Sequence, residues 1–226
     1  IDHAWGWEPC TMADIKAYRP EAGSIGSGQV LHCPYPASRA RLVLREMADA
    51  LSMDLVRQNL STHQLVLTVG YDIENLRGHR RQDYQGEITT DRYGRPVPRH
   101  ARGTENLDRY TSSSRQILEA ATALFDRITD PSLLVRRLTL TACHVLPEDA
   151  AAGREQYRQL NLFTDYPPRG QPGKEGDSAS VREKNWQKAL LQIRRKYGKN
   201  AVLRGMSLQE GATARDRNRQ IGGHRA

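Results

Sequence analysis

Residues 133–146, LLVRRLTLTACHVL, alternate with a period of two: Leu138, Leu140 and Ala142 point one way, Arg137, Thr139 and Thr141 the other. This predicts a strand with one face in a core and a second face that lines up guanidinium and hydroxyl donors. Three further stretches carry strand patterns. Residues 29–33 form a short run stopped by Pro34 and Pro36, residues 63–71 alternate Leu65, Leu67, Val69 and Tyr71 with Gln64, Val66, Thr68 and Gly70, and a third strand is expected over about 98–107. Two segments follow the helical period instead. Ala40, Val43, Leu44, Met47 and Leu51 recur at three- and four-residue spacing behind a capping Ser38, with Arg39, Arg41, Arg45, Glu46 and Asp49 at the remaining positions. Ile117, Ala120, Leu124 and Ile128 do the same behind Ser113 and Gln116, a capping-box pattern, and Asp130-Pro131 ends that helix. The order strand, helix, strand, strand, helix, strand predicts an α+β domain: a four-stranded βαββαβ sheet with both helices on one face and the other face free for a partner.

Outside this unit the pattern is sparser. Thr11 is placed to cap a short helix from Met12 to about Tyr18, and residues 21–28 form a glycine- and serine-rich connector. Between Asp72 and His100 the sequence turns charged and rich in glycine and proline, and TTDRYGRPVPRHARG at 89–103 predicts a hairpin and its approach to the third strand. Its Arg92, Arg95, Arg99, His100 and Arg102 make the most basic loop of the chain, with Tyr93 among them as a stacking surface. Residues 148–159 and 166–179 have linker composition and bracket one apolar island, QLNLF at 159–163. Trp186, Leu190, Ile193 and Tyr197 lie on one stripe of a last helix that Gly198 ends. That stripe is too apolar for water, so the helix either packs back on the body or enters a partner's groove. The tail from Met206 is polar and without usable periodicity.

Composition narrows the partner. Lys and Arg number 34 against 26 acidic residues, a net charge of +8 and a pI near 9.6, which favours a polyanion, nucleic acid ahead of an anionic membrane surface. No apolar run is long enough for a bilayer. Cys10, Cys33 and Cys143 have neither pairing parity nor metal-ligand spacing, and Cys143 and His144, neighbours on a strand, face opposite ways. No catalytic or metal-binding constellation can be assembled around His100 or His144.

Several of these stretches resemble one known family. HAWGWEPCTMADIKAYRPEAGSIGSGQV is similar to the end of the thumb and the serine-rich approach to the little finger of bacterial Y-family translesion DNA polymerases, the group of DNA polymerase IV and the polymerase V catalytic subunit. LLVRRLTLTACHV resembles the last little-finger strand, QLNLF the sliding-clamp-binding peptide, and RKYGKNAVLRGMSL with ATARDRNRQIGGH the tail of a Gram-positive branch. The resemblance implies a short helical end of a thumb over 1–23, a DNA-binding little finger over 24–147, a linker over 148–179 holding the clamp peptide 159–163, and a C-terminal helix and tail over 180–226. It implies duplex DNA held by Ser24, Ser27, Arg102, Arg136 and Arg137, and a sliding clamp held by Gln159, Leu160, Leu162 and Phe163. It also implies a monomeric, cytoplasmic protein of DNA repair and the SOS response.

The family's palm holds two magnesium ions on acidic residues, and this sequence has no such pattern; Asp72 and Glu74 lack its context. The chain is therefore expected to carry no cofactor and no polymerase activity of its own, with a nucleotidyltransferase as its parent. A stand-alone ferredoxin-like nucleic-acid-binding module is the alternative. An RNA-recognition version would want aromatics on its central strands, whereas Phe occurs only at Phe125 and Phe163.

Overall fold

The computed structural model describes residues 6, 9–18, 23–152, 174–221 and 224–225. Helix α1 (Met12–Ala17) starts at a reciprocal cap, in which the Thr11 hydroxyl accepts the Asp14 amide and the Asp14 carboxylate accepts the Thr11 amide. Strand β1 (Ile25–Tyr35) leads into α2 (Ala37–Arg57) and β2 (Leu60–Tyr71). A 3-10 turn (Ile73–Leu76), α3 (Gly78–Asp83) and the hairpin of β3 (Ile88–Thr90) and β4 (Pro96–Pro98) precede β5 (Ala101–Thr111), α4 (Ser114–Ile128) and β6 (Val135–Cys143). Then come β7 (Leu146–Pro147), α5 (Glu148–Ala152), α6 (Lys174–Tyr197), a 3-10 turn (Gly205–Leu208) and α7 (Ala214–Arg217). The last element is a pair of two-residue strands, β8 (Gln220–Ile221) and β9 (His224–Arg225).

The long strands run β1-β6-β2-β5, every neighbour antiparallel, and β7 adds a two-residue extension beside Leu60 and Ser61. Helices α2 and α4 each cross one intervening strand and pack together over one face, as the order of elements predicts. The core lies between: Leu65, Leu67 and Val69 of β2 and Leu138, Leu140 and Ala142 of β6 meet Val43, Leu44 and Met47 of α2 and Ile117, Ala121 and Leu124 of α4, all with no measurable exposure. Gly103 lets α4 come close to β5. A Cβ there would sit 2.8 Å from Ile128 Cγ2 and 2.9 Å from Leu124 Cδ1.

Strand β1 is longer than its apolar run predicts, because the second half of the glycine- and serine-rich connector pairs with β6 from Ile25 onward. Pro34 is tolerated because β1 is an edge strand and its register slips between Val30 and Tyr35. Helix α2 starts at Pro36 without a side-chain cap, not at Ser38. Strand β5 runs 101–111 rather than 98–107, since Pro98 belongs to the hairpin. At α4 the Ser113 hydroxyl accepts the Gln116 amide as expected.

The largest departure is at the C-terminus, where a third layer covers α2. Its Glu46 and Asp49, read from the sequence as outer positions, are 3% and 7% exposed. One Glu46 carboxylate oxygen accepts the amides of Thr213 at 2.7 Å and Ala214 at 3.0 Å. Asp49 lies 2.5 Å from Arg204 Nε, an ion pair by distance rather than a directed hydrogen bond. Helix α6 does pack back on the body, but on a polar stripe. Glu183 accepts from the Ser113 hydroxyl and the Arg115 amide, and Gln187, 1% exposed, donates to Ser114 Oγ at 2.7 Å and Ser112 O at 3.1 Å. Of the apolar stripe only Leu190 is buried; Trp186, Ile193 and Tyr197 are 49%, 41% and 66% exposed.

Candidate nucleic-acid interface

The register of the four long strands defines what the uncovered face presents. Gly28, Thr139, Thr68 and Arg102 stand side by side across the sheet; the next row is Val30, Arg137 and Gly70, and the row on the other side is Gly26, Thr141, Val66 and Thr104. Gln64, beside Cys143, donates to Asn106 at 2.9 Å. No Asp or Glu occupies a paired position on this face. Glu105 turns to the helix side, where it meets Arg127 at 2.7 Å.

The face is flat as well as polar. A Cβ on Gly26 would meet Thr141 Oγ1 at 2.8 Å, and one on Gly70 would meet Arg137 Cβ at 3.2 Å. Small residues beside the threonines and Arg137 keep the surface low, so an approaching backbone can reach hydroxyl and main-chain groups together. Arg102 and Arg137 are exposed and have no hydrogen-bond or ion-pair partner among the described residues. Their Cα atoms are two strands and two residues apart, roughly 12 Å from strand spacing and rise.

The residues singled out in the sequence do not all meet here. Arg136 sits in the bulge where β2 and β6 slip register, half-buried, with Nε 3.6 Å from Asp72 Oδ2. Ser27 pairs with Leu140 and so projects on the helix side of β1, whereas exposed Ser24 precedes the strand. The pleat separates Ser27 from the two arginines. Residues 159–163 lie outside the described residues. In the hairpin loop Arg99 pairs with Glu87, while Arg95 pairs with Asp91 and stacks over Tyr93 at 5.0 Å, leaving Arg92 exposed. Sequence reasoning passed over Thr68, Thr104 and the edge glycines. Thr68 could have been found from the even positions of β2, since alternation assigns them to the same side.

Among the described residues no group of three or more His, Cys, Asp or Glu is arranged to hold a metal, and no helix is long and apolar enough to cross a membrane. His63 stacks on Tyr110 at 4.6 Å and meets the His144 ring edge-on at 5.1 Å, at the end of β2 away from Arg102.

The family model for the impB/mucB/samB family C-terminal domain matches residues 23–162, more than half of the chain. The chain belongs to this family. The matched domain is the little finger of Y-family polymerases, and its mixed sheet and helices are those described above. Among solved structures the chain is similar to one described as "Complex of beta-clamp processivity factor and little finger domain of PolIV", at 12% identity and a TM-score of 0.35, over 63% of this chain and 100% of that one. A comparison with curated proteins returned no match.

Proposed function

We propose that the chain is the DNA-gripping little-finger region of a translesion polymerase, holding duplex DNA by its backbone on the open face of the sheet. The observation that carries this is the flat face on which Arg102, Thr68 and Thr139 share one row and Arg137 begins the next, with no Asp or Glu in the paired rows. Arginines at two points of the face supply charge-assisted bonds to phosphate, and the threonine hydroxyls add neutral donors between them. The exposed edge of β1 offers main-chain groups beside its glycines. None of these donors is placed to read base edges, so grip without sequence selection follows, as a polymerase that must move along any template requires.

QLNLF at 159–163 is the clamp-docking element of the same proposal. Gln159 is the polar anchor, Leu160 leads, and Leu162 and Phe163 are the apolar plugs. The support is its composition and its similarity to the family's peptide. The parent protein is then a DNA-directed DNA polymerase of DNA repair, whose catalytic magnesium ions belong to its palm.

Fluorescence anisotropy of a labelled duplex at several salt concentrations tests the grip. Arg102→Ala with Arg137→Ala should weaken binding and lower the magnitude of the salt slope by about 2, one per lost phosphate contact. An unchanged slope in the double variant would sink the reading. Arg136→Ala should matter less, because Asp72 already faces that guanidinium.

A further inference from the structure

A second basic surface lies behind edge strand β1, on the helix side of the sheet. The start of β1, the C-terminal half of α2, helix α6 and the turn after α7 enclose a groove of about 900 Å³. Six lysines and arginines line it against one acid, Asp54. Three of the six are engaged within the fold. Arg57 pairs with Asp54 at 2.9 Å, Arg194 donates to Val202 O at 3.1 Å, and Arg217 donates to Gln29 Oε1 at 2.5 Å. Lys188, Arg195 and Lys199 are exposed and have no hydrogen-bond or ion-pair partner among the described residues. Lys188 and Arg195, seven residues apart, lie along one side of α6 roughly 10 Å apart at the helical rise, and Lys199 follows just past its end.

The exposed groups decide what the groove takes. Leu51, Met53 and Val56 contribute to its floor but are only 2–3% exposed, and the half-buried Ile25, Ala50 and Leu191 add the rest of its apolar lining. Its accessible donors are cations and the neutral groups of Ser27, Asn59 and Asn218. That set suits a chain of phosphates, and the groove is too small for a duplex. Among the described residues no aromatic side chain lines it for bases to stack on. Gly26 and Ser27 form its wall on β1, and the same strand borders the open face, so a strand leaving a duplex on that face would reach the groove around the β1 edge.

We infer that this groove holds a single-stranded segment of nucleic acid by its phosphodiester backbone, next to the duplex on the open face. The continuity with the duplex rests on the proposed function; the groove's charge does not. Anisotropy of the whole chain is measured with a blunt duplex, the same duplex with a thymidine overhang, and the same duplex with an overhang of abasic phosphodiesters. Either overhang should tighten binding by roughly tenfold at low salt, through release of about two or three further counterions. The triple variant Lys188→Ala, Arg195→Ala, Lys199→Ala should lose that gain and keep blunt-duplex affinity. Arg102→Ala with Arg137→Ala should do the reverse, so the two readings fail separately. All three groove positions are exposed, and unchanged thermal midpoints would confirm intact folding; Lys199→Glu alone, expected to halve the gain or more, serves as the second variant. An overhang without effect on the wild type, or a gain that survives the triple variant, overturns the inference. So does polyglutamate displacing the overhang as well as an oligothymidine of equal charge, which would make the occupant an acidic protein segment.

Discussion

Glu46 shows how a single side chain can tie two distant parts of the chain together. By periodicity it falls among the outer positions of α2 with Arg39, Arg41 and Arg45 and belongs in water, yet it is 3% exposed and accepts the amides of Thr213 and Ala214. Glu46→Ala would leave both donors unmet beneath the tail, at a cost of about 2–4 kcal/mol for a lost charge-assisted site. Urea unfolding should report that loss, and amide exchange at Thr213 and Ala214 should accelerate beyond it. Gly103→Ala should cost about 1–2 kcal/mol by crowding Ile128 and Leu124, less if those side-chain ends yield. At the hairpin tip, the Arg95 side chain and then its amide hold the Asp91 carboxyl below its usual 3.8. A lowered value means that the carboxylate's contribution is whole above pH 3.8 and fades as pH falls through the folded value. Amide chemical shifts of Tyr93 and Arg95 should therefore titrate with a midpoint below 3.8, and a midpoint at or above it would count against the hold. The burial of Glu46 could not be read from sequence, because its partner lies 167 positions away in a segment without periodicity.

At the level of elements, the core strands and both sheet-covering helices were legible because a strand or helix with one buried face must repeat its apolar residues at the period of its backbone. Leu65, Leu67 and Val69 and the series Ile117, Leu124 follow that rule. Helix α6 does not. Its apolar stripe names Trp186, Ile193 and Tyr197, whereas the side facing the body is set by buried Leu190 with Glu183, Gln187 and Arg194, whose polar partners are backbone and hydroxyl groups near the start of α4 and in the tail. Polar burial leaves no hydrophobic signature. Leu190→Ala should thus cost about 2–3 kcal/mol and Trp186→Ala under about 1 kcal/mol, although tryptophan is the larger residue. Paired chemical denaturation curves give the comparison, and a larger loss at Trp186 would mean that the apolar stripe is the docked one. The extra length of β1 was hidden for another reason: glycine and serine read as a connector, and only pairing with β6 makes them a strand.

For the whole molecule, the proposed function assigns duplex DNA to the sheet and the clamp to the QLNLF segment. The described body reaches Ala152 and resumes at Lys174, and its two flanks are tied together, since Glu148 of α5 accepts the Ser112 hydroxyl and pairs with Lys184 of α6. Residues 159–163 therefore lie in sequence between two anchored elements rather than on a free end. Docking through Leu162 and Phe163 should cost the sheet nothing, because Arg102 and Arg137 stand on β5 and β6, which both pair with β2. Calorimetry of the chain against purified clamp should show Leu162→Ala with Phe163→Ala losing binding by about 2 kcal/mol or more, near thirtyfold, as expected when anchors that fill apolar pockets are truncated. Duplex affinity and its salt slope should be unchanged in that variant. Arg102→Ala with Arg137→Ala should give the opposite result, weakened duplex binding at full clamp affinity. If either pair of substitutions impaired both partners, clamp and DNA would share a surface, and the division between peptide and sheet would be wrong.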